Sequence, residues 1–561
     1  SNKHVLILVN GRKVTGDITG NIDLNQIDMT RVKRIEVLNG AASSLYGSDA
    51  IGGVINIITN EPKDVVAFSS NSSYTRKNQF SQGLNLDIAQ GKIGSYTSYK
   101  YDHSDGWQNS RLTEDGEDII ETIAPLSLGY SSNNFSQKFT YDATEQLSFY
   151  ANGGYYNRGL ERPVEREDIT GGSKYNTTYE GYNWGAGAKY KLSKRNVIQF
   201  DYSGNNYASR YKYLIENSGY LPGQYALTKL QKFHDAELKG IFGFTTNSTT
   251  VFGVDYRREV LRRPDSDLDK SVYTTSAYGQ HEVKLWNHLT GVVGVRYDHH
   301  EQTGGRFTPK VAAMYNIGNF NVRATYAAGF RAPGIDELYY HMFKKTMGTR
   351  ATISLGDENL DPERSNYYSI NMEYRTNRFS ASVTGYLNYV KNMVTSKSTK
   401  FDDLPEAEQN QLREEFPEIG DLSSTKNLSV KNYFNFEKAT VKGFEVNLNG
   451  NLFPGFTLAG NYTYAYGRGL NEGGEWQNIE RSIRHTATIT GNYTHSWSDY
   501  TLNLNLNGRL QSKVYYPGDA DGNAPGYGIW NFNTRHTFDG FRNFIIEPGI
   551  GIDNIFNKKD N

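Results

Sequence analysis

Cysteine is absent from all 561 residues. Disulfide frameworks, thiolate metal sites and cysteine nucleophiles are therefore excluded, although the compartment is not fixed by this alone. No uninterrupted apolar run approaches the ~18 residues that a membrane helix requires, and the mean hydropathy of -0.66 resembles that of a water-soluble protein. Neither sign of charge dominates: 60 Lys+Arg face 61 Asp+Glu, a formal net charge of -1. The basic residues are dispersed rather than gathered into a stripe, so nucleic acid is not an expected partner. No Pro/Ser-rich linker, charge block or composition break divides the chain after roughly its first 65 residues, which favours one large architecture. Neither a signal peptide nor a tag is visible, and the chain opens inside an expected strand at 4–9, as a fragment of a longer precursor would.

Aromatic residues are what the chain has in excess. Tyr 42, Phe 27 and Trp 6 make 13% of it, and tyrosine, with an apolar body and a wet tip, suits a membrane–water boundary. Strict period-two alternation recurs, as in Tyr500-Thr-Leu-Asn-Leu-Asn-Leu-Asn-Gly-Arg-Leu510, where even positions are apolar or Gly and odd positions polar. Similar segments occupy 444–452 and 320–330. A transmembrane barrel evades the hydropathy test because only alternate residues face lipid. A soluble sandwich shares the alternation, so connection lengths must separate the two readings. Short connections at 143–145, 193–195, 317–319, 376–378, 453–455 and 539–542 intersperse with long ones at 104–132, 158–178, 207–229, 333–362, 394–439 and 512–527. Short turns at one end and long loops at the other are the habit of outer-membrane barrels. Starting upward at about Val66 and reversing at each connection gives roughly 11 upward and 10 downward strands. Because bacterial single-chain barrels have even strand numbers, a final downward strand beyond Asn561 is expected, making about 22 antiparallel strands, a number associated with plugged transporters.

Before the first barrel strand lies Arg31-Val-Lys-Arg-Ile-Glu-Val-Leu-Asn-Gly-Ala-Ala-Ser-Ser-Leu-Tyr-Gly-Ser-Asp-Ala-Ile-Gly-Gly-Val-Ile-Asn-Ile-Ile-Thr59. Stretches 32–37 and 53–58 read as strands of a small sheet, 41–45 as a short helical turn, and Gly47, Gly52 and Gly53 permit close backbone packing. This segment resembles the plug domain of TonB-dependent receptors. The resemblance implies an all-β transmembrane barrel at 66–561 in the bacterial outer membrane and a small α/β plug at 1–65 inside its lumen. It also implies active import of a scarce nutrient, driven by the inner-membrane protein TonB, which pairs with an N-terminal box by strand addition; that box is not in this sequence. Asn39-Gly40-Ala41 stands where the family usually has Arg-Gly-Pro, and Asn10-Gly11 where Asp-Gly is usual. Arg31, Arg34 and Glu36 fall where family members place charges that latch plug to wall; ordinary solvated charges are the alternative.

Gly329-Phe-Arg-Ala-Pro-Gly-Ile-Asp-Glu-Leu-Tyr-Tyr-His341, followed by Glu358-Asn-Leu-Asp-Pro-Glu363, resembles paired boxes of haem receptors, with related boxes in cobalamin receptors. The loop between the boxes carries Tyr339, Tyr340, His341, Met342, Met347 and Arg350, of types that ligate haem iron or contact a macrocycle; His341 as a plain surface residue is the alternative. The segment 15–24 aligns with the apical loop that touches substrate in cobalamin receptors, which makes Thr15, Gly16, Asp17, Ile18 and Thr19 candidates. The cargo implied is a metal tetrapyrrole, haem or cobalamin, with a siderophore or glycan as alternatives within the family. A barrel enzyme and a passive porin are the alternatives outside it, but no nucleophile-elbow motif occurs. His299 and His300 beside Asp298 and Glu301 suggest a metal, yet adjacent strand residues point to opposite faces. Asp265, Asp267 and Asp269, and Asp519 with Asp521, offer oxygen ligands for Ca²⁺ without completing an EF-hand. The Glu/Gln-rich stretch 403–416 is expected to form a short helix that contacts a surface lipoprotein or haemophore, or covers the pore. Membrane lipid is the remaining partner.

Overall fold

The computed structural model describes residues 4–18, 21–76, 78–106, 112–114, 117–119, 128–162, 174–217, 219–345, 351–422, 424–470, 474–479, 481–515 and 523–558. Two apolar runs, Val5–Val9 and Gly53–Thr59, pair in parallel at the centre of a small N-terminal sheet. A parallel pair covered on both faces needs apolar residues at consecutive positions rather than alternate ones. Leu6 and Leu8 accordingly pack with Ala42, Ala50 and Val54 in one cluster, while Ile7 packs with Ile27 and Ile57 in another. Arg12–Lys13 and Val32–Asn39 flank the pair as antiparallel edges. The tight turn between Val9 and Arg12 explains the Asn10-Gly11 departure. Both turn residues have positive φ, 52° and 81°, which asparagine and glycine tolerate best in a two-residue hairpin. The Asn10 side chain also donates to Thr59 Oγ1 at 2.8 Å and accepts from the Thr59 N–H at 2.9 Å.

From Ala67 onward the chain is an antiparallel meander closed into a ring, Gly549–Ile552 lying next to Ala67–Thr75. With Phe544–Ile546 and Gly549–Ile552 taken as one interrupted strand, the described residues hold the twenty-one spanning strands that the sequence suggested. The alternation is inside-out relative to a soluble protein. In Leu289–His300, Arg296, Asp298 and His300 are 2%, 1% and 5% exposed, whereas Val293, Val295 and Tyr297 are 61%, 48% and 38% exposed. In water each such bare valine forfeits on the order of 1.5–3 kcal/mol of burial, so the outer surface requires lipid. No helix among the described residues is long and apolar enough to cross a membrane.

Tight turns join the strands at the end where the chain enters the barrel, as expected. The opposite end is less regular than the predicted rhythm. The connections after Thr75, Arg263 and His300 are only a few residues long, while the connection after Lys400 forms a folded unit. There Glu406–Glu415 is the expected helix. It caps a core of Ala351, Ile353, Phe401, Leu412, Phe416, Ile419, Leu428 and Val430. Ala351–Leu355 pairs antiparallel with His341–Lys345 and parallel with Leu428–Asn432, a local parallel contact that no alternation pattern announces.

Candidate functional site

The inward parity of the wall strands carries most of what touches the plug. Arg12 reaches three wall carboxylates: Nη2 lies 2.8 Å from Asp201 Oδ2 and 3.0 Å from Glu237 Oε2, and Nη1 2.7 Å from Asp235 Oδ1. Lys13 Nζ lies 2.9 Å from wall Glu259 and 2.7 Å from plug Asp49. Burial alone would raise the Asp49 carboxyl, but the Lys13 ammonium outweighs it and holds it at about 2. Asp23 accepts from the wall hydroxyls of Tyr156 and Tyr207 at 2.9 and 2.8 Å. Arg296, paired within the wall to Asp255 and Asp298 at 2.7 and 2.8 Å, donates to the Leu45 carbonyl of the plug at 3.3 Å. The seam is thus largely ionic and hydrogen-bonded, with two small apolar contacts, Ala41 against Ala327 and Tyr367 and Ile51 against Val390 and Ala439. Such a seam separates mainly by rehydrating charges and exposes little apolar surface.

The expected latch is arranged differently. Arg34 and Glu36, one on either side of Ile35 on an exposed edge strand, pair with each other at 2.7 Å, and Glu36 also accepts from Asn56. Arg31 lies within electrostatic reach of wall Tyr96 and plug Asp28. Burial pushes its guanidinium down from the usual value, and its Nε lacks a hydrogen-bond partner. Asn39, in the place of the usual arginine, donates to wall Glu445 at 2.9 Å. Charge-to-charge contact with the wall runs through Arg12 and Lys13, and through Glu61, which meets wall Lys138 at 2.8 Å, residues that sequence reasoning passed over. Their signal was the row of carboxylates at Asp201, Asp235, Glu237, Asp255 and Glu259, all on one parity of neighbouring strands.

Of the plug-apex candidates, Thr15 hydrogen-bonds wall Asn205 through its hydroxyl and accepts from Gln26 Nε2 at 2.7 Å through its carbonyl. Gly16 has φ +111°, and a Cβ there would lie 2.5 Å from the Tyr207 ring; no other residue fits without displacing it. Asp17–Ile18 pairs with Asn21–Ile22 as a small hairpin, and Thr19 lies outside the described residues. In the outer loop, Tyr339 stacks under the Lys270 ammonium at 4.9 Å and Tyr340 accepts from Arg263 Nη1 at 3.2 Å. His341 is engaged: Nε2 meets Glu415 Oε2 at 3.1 Å and its ring stacks on Phe416 at 4.4 Å. Gln411 first, and His341 second, hold the Glu415 carboxyl below its usual range. Met342 is 7% exposed; Met347 and Arg350 lie outside the described residues. The plug-apex set touches Asn205 and Tyr207 on the same wall strand that continues outward to Tyr211, beside Arg263 and Asp265.

A buried hub ties the boxes to the plug. Arg331 bonds Glu337 at 2.9 Å and Glu363 at 2.5 Å, and the other oxygen of Glu363 meets plug His4 Nε2 at 2.8 Å. The Phe-Arg-Ala-Pro arginine and the glutamate closing the second box are therefore one interaction. His299 and His300 face opposite sides, the first exposed and the second buried. Asp265 is held by Arg263 at 2.7 Å and Asp269 lies 3.7 Å from Arg262, while Asp519 and Asp521 lie outside the described residues.

The family model described as TonB dependent receptor-like, beta-barrel matches residues 115–555, and the TonB-dependent Receptor Plug Domain matches 1–54. The chain belongs to the TonB-dependent receptor family. It is accordingly a plugged outer-membrane β-barrel. It is 25% identical over 414 residues to the vitamin B12 transporter BtuB of Vibrio cholerae, an alignment covering 71% of this chain and 61% of that one, so it spans about three fifths of that relative's length. It is 24% identical over 642 residues to the ferric enterobactin receptor PirA of Pseudomonas aeruginosa, covering 99% and 80%. In fold it superimposes on a mutant of the ferric enterobactin receptor PfeA of Pseudomonas aeruginosa with a TM-score of 0.75 at 16% identity, over 99% of this chain and 85% of that one.

Proposed function

We propose that this receptor imports a bulky, scarce metal-bearing nutrient, with TonB pulling a plug of residues 1–65 against a fixed barrel of residues 66–561. The ionic seam carries this reading. A plug meant only to seal would gain most from an apolar interface, whereas paired charges such as Arg12 with Asp201, Asp235 and Glu237 hold firmly and release into water. Uptake of labelled cargo should require TonB and an energised inner membrane. Free flux of small solutes through the intact protein in liposomes would instead identify a passive pore, and covalent turnover of a substrate an enzyme.

Two cargo readings have support. A metal tetrapyrrole, haem or cobalamin, draws on the BtuB relative and the box resemblance, with Thr15, Gly16, Asp17, Ile18, Tyr339 and Tyr340 as contacts. In the haem form of this reading His341 must first leave Glu415 and Phe416, and Met342 must leave its buried position. A ferric siderophore draws on the PirA relative, which aligns over nearly the whole chain, and needs neither movement. Side-by-side equilibrium binding of haem, cyanocobalamin and a ferric siderophore decides between them. A Soret band unchanged in His341→Ala would remove that residue from the haem reading.

A further inference from the structure

On the lipid-facing parity of Tyr225–Thr245 the side chains change from apolar to cationic toward the outside: Phe242, Gly240, Leu238, Ala236, His234, Lys232. Phe242 stacks on Phe244 and Phe252 at 6.0 and 5.2 Å, in an aromatic girdle beside the tight turn. Lys232 stands ten residues outward of Phe242. That is roughly 33 Å along a strand at ~3.3 Å per residue, and about 25 Å of membrane depth at a tilt of ~40°. The apolar band of such barrels has the same height, so Lys232 lies at its outer boundary. Arg258, exposed on the neighbouring strand, is the cross-strand partner of His234 and shares that level.

Neither cation is neutralised. Lys232 and Arg258 have no ion-pair or hydrogen-bond partner among the described residues, and both lie within electrostatic reach of the His234 ring. The carboxylates of their own strands, Asp235, Glu237, Asp255 and Glu259, serve the lumen, where they meet Arg12, Lys13 and Arg296. On the flanking strands the outward acids are taken, Glu180 by Arg210 and Asp269 by Arg262 at 3.7 Å. Like charges beside a low-dielectric phase repel one another unless an anion joins them. Below the cations the surface has a notch, because Ala236 stands in register between Tyr202 and Tyr256. Farther down, Leu238 and Val254 are 49% and 52% exposed. The His234 ring is fixed by the Tyr202 hydroxyl, 2.9 Å from Nδ1, and by Trp184, edge-on at 5.9 Å, which leaves Nε2 as its free nitrogen among the described residues.

We infer that this patch binds a phosphorylated, multiply acylated glycolipid of the outer leaflet. Lys232, Arg258 and His234 Nε2 hold a phosphate, through charge-assisted hydrogen bonds from the two cations, and one acyl chain lies over Ala236 between Tyr202 and Tyr256. Charge above and bare apolar surface below suit an anion tied to hydrocarbon chains, whereas a soluble anion would use only the upper half. The cations also continue outward: Arg262, exposed on the same face, is four residues beyond Arg258, roughly 13 Å at ~3.3 Å per residue. A small phospholipid head does not span that distance, and a phosphorylated sugar head does. The site lies outside the lumen and is independent of plug and cargo.

The test takes the full chain in detergent micelles and measures bound lipid by native mass spectrometry with three probes: diphosphoryl lipid A, the same lipid stripped of its phosphates, and phosphatidylglycerol. Two variants separate the halves of the site. Lys232→Gln/Arg258→Gln removes the charges, and Ala236→Leu fills the notch while keeping them, with barrel melting in the absence of lipid as the folding control. The expected result is selective retention of diphosphoryl lipid A, reduced about ten-fold or more in the double variant and several-fold in Ala236→Leu. Equal retention of the stripped lipid or of phosphatidylglycerol overturns the site, as does undiminished binding in either variant. Displacement of lipid A by millimolar inorganic phosphate would reveal a site for soluble anions and overturn it too. Each of these outcomes leaves the import reading as it stands.

Discussion

Single residues at the plug seam are placed where one atom matters. Gly16→Ala would drive a Cβ into Tyr207 at a φ of +111°, and a loss of about 1–3 kcal/mol is expected, read by denaturant unfolding of the plug. Arg12→Ala removes the cation shared by Asp201, Asp235 and Glu237, with Arg257 at 3.6 Å from Asp235 and Lys239 at 3.4 Å from Glu237 remaining beside them. Breaking one partner of a buried pair costs about 3–5 kcal/mol, so hydrogen exchange in Val5–Val9 should accelerate while the barrel strands stay protected. Lys13 and Asp49 give the seam its acid limit. The Asp49 carboxyl is depressed from 3.8 to about 2, so its contribution is fully present above the unfolded value and is lost as pH falls through the folded one. Pepsin should therefore begin to cut the plug only between about pH 4 and pH 2, and cutting that starts well above pH 4 would show that Asp49 does not hold it.

At the scale of elements, the outer connection 401–422 is a folded structure rather than a loose cover. Leu412 is 3% exposed within the helical cap, so Leu412→Ala should open a cavity costing about 2–5 kcal/mol. Because that core is built from loop segments, exchange should rise across 401–422 while barrel melting stays unchanged; a fall in barrel melting would show that the cap and barrel unfold together. The Arg331 hub joins wall, outer loop and plug through Glu337, Glu363 and His4. Arg331→Ala removes the guanidinium shared by two buried carboxylates, Glu337 and Glu363, and proteolysis within 332–345 is the readout expected to change.

For the whole molecule the decisive fact is the inversion of polarity, with charge inside and apolar side chains outside. Val295→Arg, on the lipid face of its strand, should cost about 2–4 kcal/mol of folding into vesicles if it lies near the bilayer midplane. A conservative inward change on the same strand would leave insertion untouched and alter only how the plug sits. Barrel and plug thus answer to different solvents, one to lipid and the other to a wet, charged lumen.

Period-two alternation, short inner turns and the excess of tyrosine were enough to specify an antiparallel membrane barrel, because strand periodicity is a local property. The runs at 4–9 and 53–58 likewise read as strands, and the 403–416 stretch as a helix, whereas the parallel pairing of Val5–Val9 with Gly53–Thr59 became visible only in the structure. The seam was not legible. Arg12 meets Asp201, Asp235 and Glu237 across some two hundred residues, and a charge carries no mark of the distant strand that will face it. For the same reason Arg34 and Glu36, which stand at latch positions in the family pattern, pair with each other here. The wall carboxylates that meet Arg12 and Lys13 come from separate strands and look dispersed when counted along the chain. Their convergence depends on barrel closure and strand register, which only the tertiary structure decides, because closure alone brings remote side chains of one parity onto one wall.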